Sequence, residues 1–122
     1  MFTSYFWRFH LHHYPCLVSI AWKTPEWFKG RRYPALAPRG NMLRIGESEY
    51  RQKYHAILNR LDPHQVYKDL GPDAVILCWE QPGEFCHRRL VAAWLEKALG
   101  VTVPELPGNY NPQQKDLFTE GE

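Results

Sequence analysis

Cysteine is scarce in this chain. Three occur in 122 residues, at positions 16, 78 and 86, an odd number at spacings that fit no disulfide framework of a small secreted domain. Nor is there an apolar run near the ~20 residues that cross a bilayer, so no membrane-spanning helix and no membrane partner are expected. The opening residues MFTSYFWRFH lack the basic-then-apolar layout of a secretory signal, and a cytoplasmic location is expected. In a reducing compartment the cysteines read as free thiols or metal ligands rather than staples. Internal repeats are absent. What is present is a globular composition, 44% hydrophobic and 23% charged, in a chain long enough for one domain with a sizeable core.

A net charge of +2 conceals a split. Residues 1–60 hold ten Lys/Arg against three Asp/Glu, and residues 61–122 hold five against ten. Such asymmetry suggests one basic face and an anionic partner, or else two solvated faces that attract each other.

Residues 2–9 and 16–22 are β-prone and apolar, and read as strands with a loop between them. Residues 23–46 carry Gly30, Gly40 and Gly46 with Pro25, Pro34 and Pro38, a density that forbids a long regular element. Trp27, Phe28, Tyr33, Leu36 and Met42 mark that stretch as an ordered loop. Ser48 can cap a helix running to about Leu61. A second short helix begins with Asp62-Pro63 and ends before Gly71. The continuous apolar run 73–79 predicts a strand buried on both faces, as in a parallel sheet. The helix after it spans about 84–99, with Gly100 as its left-handed cap. The alternation predicts an α/β fold, a small, mostly parallel sheet flanked by helices, as one domain over 1–103. Residues 104–122, polar and rich in Pro, Asn and Gln, are expected to form a flexible tail.

The chemistry concentrates where the 73–79 strand meets its helix, in CWEQPGEFCHRR. Cys78 and Glu80 stand at the carboxyl end of a strand, where ligands of open α/β sheets gather. Cys86, His87 and Arg88 open the helix, whose free N–H groups and positive dipole end favour anions and a reactive thiolate. Three readings stay open. Cys86 can be a nucleophile with His87 or Glu80 as base, although helix neighbours point about 100° apart, which turns His87 away from Cys86. Cys78, Cys86 and His87 can bind zinc, but the paired knuckle of common zinc sites is missing, and neither metal nor cofactor is assigned. Otherwise both cysteines are packed fillers of a structural joint.

The segment LCWEQPGEFCHRRLVAAWL, preceded by VSIAWKTPEWFKGRRYPALAP, resembles the domain of unknown function 488 family. That family pairs a Cys-x-Glu strand end with a Cys-His-Arg that opens a helix, behind a strand leading to a Trp-bearing and a Leu-Ala-Pro segment. The likeness covers most of residues 1–103, and Trp22-Lys23 departs from it. It implies a compact α/β domain with its site at Cys78, Glu80, Cys86, His87 and Arg88, and no particular reaction.

Elsewhere, WKTPEWFKGRRYP interleaves Lys23, Lys29, Arg31 and Arg32 with Trp27 and Tyr33, the cations and flat rings that bind nucleotides or single strands. Its aromatics can equally pin the loop to the core. His10, His12 and His13 read as a solvated loop. In the tail, Gln114, Leu117 and Phe118 resemble the anchors of the bacterial sliding-clamp-binding pentapeptide, with Lys115 out of pattern; self-docking of the same pair is the alternative. The function expected is a nucleic-acid-associated enzyme acting on a nucleotide, base or DNA, in which Arg88 holds phosphate and Glu80 moves protons. The other is a non-catalytic nucleic-acid or clamp adaptor with a structural Cys/His joint.

Overall fold

The structure is a computed structural model that describes residues 1–8, 11–81 and 83–107. Its strands are β1 (Phe2–Tyr5), β2 (Leu17–Ser19), β3 (Arg31–Arg32) and β4 (Val75–Cys78), and its α-helices are α1 (Glu47–Leu58), α2 (Pro63–Leu70) and α3 (His87–Leu99). All strand pairs are parallel, in the order β1-β4-β2-β3. The expected α/β architecture is therefore present, with every carboxyl end on one edge of the sheet.

The apolar run that predicts β4 has its cause in two-sided burial. Ala74 and Ile76 face a core shared with Val18, Ile20 and the inner faces of all three α-helices. Val75 and Leu77 face the other way, onto Phe6, Leu11, Tyr14, Phe28 and Leu106. The α-helices thus gather on one side of the sheet, and aromatic loop segments cover the other. Each buried aliphatic side chain stabilises by roughly 1.5–3 kcal/mol, so β4 is the organising strand. Period-two alternation then aims Cys78, like Ile76, towards the helical side.

Helix ends follow local chemistry with some displacement. α1 starts at Glu47 behind Gly46 rather than behind Ser48; Glu47 and Glu49 complement the dipole in its first turn. Asp62 caps α2 by accepting from the His64 amide, with Pro63 in the first helical position. Gly100 closes α3 at φ 70°, where any side chain would be strained. α3 itself begins at His87, not 84, and its N-cap Cys86 is extended (φ −149°, ψ 144°). The loop 23–46 contains the unforeseen edge strand β3 and two 3₁₀ segments, Pro34–Leu36 and Gly40–Arg44.

The expected boundary at 103/104 moves outward. Glu105 bridges Thr3 in parallel, the Thr3 amide donates to the Pro104 carbonyl, and the Leu106 amide donates to the Thr3 carbonyl. Leu106 is buried and Arg8 donates to the carbonyls of Leu106 and Pro107. Residues 104–107 extend the sheet beyond β1; the clamp-like Gln114, Leu117 and Phe118 lie outside the described residues. Among the described residues no helix is long and apolar enough to cross a membrane.

Candidate active site at the carboxyl edge of the sheet

β4 ends at Cys78, and Cys86 stands directly before α3. Gly83, at φ 90°, supplies a turn conformation that other residues rarely adopt. Cys78 and Cys86 meet as a disulfide, with Cα atoms 7.4 Å apart. This pairing was not foreseen. Behind the sulfurs sits Arg88, 1% exposed and one of the largest fully buried side chains among the described residues. Its Nη1 donates to Cys78 Sγ at 3.1 Å and to the Glu80 carbonyl at 2.6 Å. Its Nε donates to Glu105 at 3.0 Å, and its Nη2 pairs with the same carboxylate at 3.0 Å. Each guanidinium nitrogen therefore has a protein partner. The phosphate contact expected of Arg88 gives way to a positioning role, because burial and pairing leave no donor aimed at a ligand.

His87 is likewise buried, its Nε2 2.7 Å from the Ile20 carbonyl. A carbonyl only accepts, so Nε2 carries the proton and Nδ1 keeps its lone pair. That lone pair lies 3.7 Å from Cys86 Sγ. Burial, with Arg88 adding to it and the Ile20 bond opposing it, pushes the imidazole down to about 4, so it is neutral near pH 7. The divergence expected between helix neighbours does not apply, since Cys86 is the extended residue before the helix. His87 and its neighbour do face one another.

These groups floor a cleft of about 490 Å³ at the sheet edge. Cys78, Cys86 and His87 contribute to its lining, as do Trp22, Trp79, Tyr50 and Phe85 on the walls and Glu80 and Lys23 at the rim. Tyr50 and Phe85 pack edge to face, 5.2 Å between centroids. Burial, and then the charge of Glu80, hold the Tyr50 phenol well above its usual range. The Trp79 indole N–H donates to the Lys23 carbonyl at 2.7 Å, fixing one wall to the loop after β2. Of the joint residues, then, Cys78, Glu80, Cys86 and His87 share the cleft and Arg88 stands behind it.

A second groove adjoins the first through Ala21, Trp22 and Lys23, and is lined also by Arg32 and Arg39. Compared with family models, curated proteins and solved structures, the chain shows no match.

The basic-loop residues divide. Lys23 and Arg32 reach the groove; Lys29 lies with Trp27 along a different hollow beside Leu11, Tyr14 and Cys16. Arg31 donates to the Asp69 and Leu70 carbonyls, closing the end of α2, and the Tyr33 hydroxyl donates to Asp69 at 2.7 Å. Trp27 packs on Phe6 and Trp7. Arg31 thus anchors the loop, and Tyr33 does so while lining the groove beside Arg32. Sequence reading missed Arg39, Glu105 and the Ile20 carbonyl. The first is a lone cation, the second sits in a polar stretch, and a backbone carbonyl leaves no trace in the sequence.

Proposed function

We propose that the protein is a nucleic-acid-associated enzyme that takes a nucleotide or an unstacked base into the aromatic cleft. The observation that carries this reading is the continuity of two surfaces. A cleft walled by Trp22, Trp79, Tyr50 and Phe85 opens directly onto a groove bearing Lys23, Arg32 and Arg39. Flat rings stack bases and cations hold phosphates. The Cys78/Cys86/His87 cluster lies at the cleft floor, where a stacked base would present its edge. Glu80 is the group placed to move a proton at the rim, and His87 Nδ1 is an acceptor for the Cys86 thiol once the sulfurs are reduced.

Tryptophan fluorescence of the reduced protein, titrated with nucleoside monophosphates and short single strands, tests the reading. Quenching that saturates, and that weakens with Trp22→Ala or Lys23→Ala, is expected. No quenching by any of them at low salt would reject it.

One observation favours the second reading, a non-catalytic adaptor: the Cys78–Cys86 bond fastens the strand end to the helix start, as a structural joint would. Rapid labelling of Cys86 near neutral pH after mild reduction separates the two, since a packed joint labels slowly. A sliding clamp is the partner proposed for Gln114, Leu117 and Phe118. Titrating the tail peptide, with Leu117→Ala/Phe118→Ala as control, tests it; equal binding by both peptides would remove it.

A further inference from the structure

We infer that Cys78, Cys86 and His87, once the sulfurs are reduced, form a zinc site of two thiolates and one imidazole whose fourth position opens into the aromatic cleft. The inference rests on the reading above only in placing the chemistry at this cluster.

The donor set comes first. The two sulfurs and a histidine ring nitrogen lie within 4.8 Å of one another. Zinc bonds of ~2.3 Å to sulfur and ~2.0–2.1 Å to nitrogen place tetrahedral S and N donors ~3.6 Å apart. Cys86 Sγ and His87 Nδ1 are 3.7 Å apart. Two sulfurs on one such ion stand ~3.8 Å apart. The 7.4 Å between the Cα atoms of Cys78 and Cys86 exceeds the roughly 4.4–6.8 Å that disulfides usually span, and suits that wider separation.

The surroundings agree. A metal-binding imidazole commonly donates its other N–H to a carbonyl, which fixes the tautomer, and Ile20 does this for His87. The Arg88 N–H on Cys78 Sγ offsets the negative charge of a thiolate ligand. Two thiolates and an imidazole, with no carboxylate among them, select zinc over magnesium or calcium. Three protein ligands beneath an open cleft match a reactive site rather than a closed structural one.

Reaching the binding state requires a two-electron reductant, a dithiol or a phosphine with water. The Cys78–Cys86 bond breaks, two electrons and two protons pass to the sulfurs, and the dithiol leaves as its own disulfide or the phosphine as its oxide, with oxygen and protons from water. Zinc then displaces the thiol protons to solvent.

The test uses the full chain, reduced with a phosphine or oxidised with diamide, and titrated with Zn²⁺ against a chromophoric chelator. The reduced protein is expected to bind one equivalent, and Co²⁺ in its place to show thiolate-to-cobalt charge transfer. Cys16→Ser should bind as the parent does. Cys86→Ser and His87→Gln should each weaken binding by more than about 100-fold, beyond what outer-shell changes cost. Oxidised protein should bind no zinc. Binding that survives both substitutions, or reduced parent protein without the cobalt charge-transfer band, would overturn the site. The band is read on the parent protein, so a variant that fails to fold does not blunt the test. Nucleotide titrations with and without Zn²⁺ keep the two claims apart. Metal uptake without nucleotide binding sinks the functional reading and leaves the site, and the converse sinks the site alone.

Discussion

At the scale of single residues, Arg88 decides how the joint holds together. Its fork joins three parts of the chain, the end of β4 at Cys78, the turn at Glu80 and the edge segment at Glu105. Arg88→Met would leave the Glu105 carboxylate with the Thr3 hydroxyl as its donor and the Glu80 carbonyl without its Arg88 donor, and should cost about 3 kcal/mol in urea unfolding. Arg88→Lys should recover little, because one ammonium cannot replace a planar fork. Glu105→Gln on the Arg88→Met background should cost less than it does alone. A loss under about 1 kcal/mol for Arg88→Met, the size of an exposed pair, would show that the fork does not hold the joint. The site was legible as far as short-range geometry reaches. A strand end and a helix start joined by a tight turn had to bring Cys78, Glu80, Cys86 and His87 together. The partners of Arg88 and His87 were not legible, since one lies 17 residues onward in a polar stretch and the other is the carbonyl of Ile20.

Elements are held in place here by small groups of tertiary bonds rather than by propensity. The hydroxyl of Tyr54, a fully buried residue of α1, donates to the Leu36 carbonyl at 2.5 Å and so ties the proline-rich loop to the helical layer. Tyr54→Phe leaves that carbonyl without its partner and should lower stability by about 1–3 kcal/mol, read as a fall in the urea midpoint. The segment 103–107 works the same way on the other flank, with Val103 and Leu106 buried in the two separate cores. Leu106→Ala should cost about 2–5 kcal/mol, and a chain ending at Thr102 should lose its cooperative unfolding transition. Unchanged unfolding of that shortened chain would return 103–107 to the tail. Composition hid this segment because Pro104 and Pro107 read as breakers. At a sheet edge a proline loses no ladder hydrogen bond, and two apolar residues suffice when each meets a core. β4 was legible for the opposite reason, since burial on both faces writes itself as an unbroken apolar run.

Over the whole molecule, the charge split acquires a direction. The strands are all parallel, so Lys23 and Arg32, which follow β2 and end β3, come to the carboxyl edge with Arg39 beside them. Asp73 directly precedes β4 and so lies at the opposite edge, while Glu47 and Glu80 line the cleft and the Asp69 carboxylate is taken up by Tyr33. A polynucleotide attracted to this field would be guided to the edge that carries the cleft. Binding of a short single strand should therefore weaken linearly in log salt. Lys23→Ala, Arg32→Ala and Arg39→Ala should each flatten that slope by about 0.7–0.9, one phosphate contact apiece. Arg31→Ala supplies the internal control. Its guanidinium is engaged by the Asp69 and Leu70 carbonyls, so the substitution should lower stability by about 1 kcal/mol and leave the slope nearly intact. The four slopes, measured by fluorescence anisotropy on folded variants, discriminate the two roles that sequence assigned together. Equal flattening by Arg31→Ala and Arg32→Ala would mean that the strand tracks β3 rather than the groove. Four unchanged slopes would leave the basic half of the chain with a packing role alone.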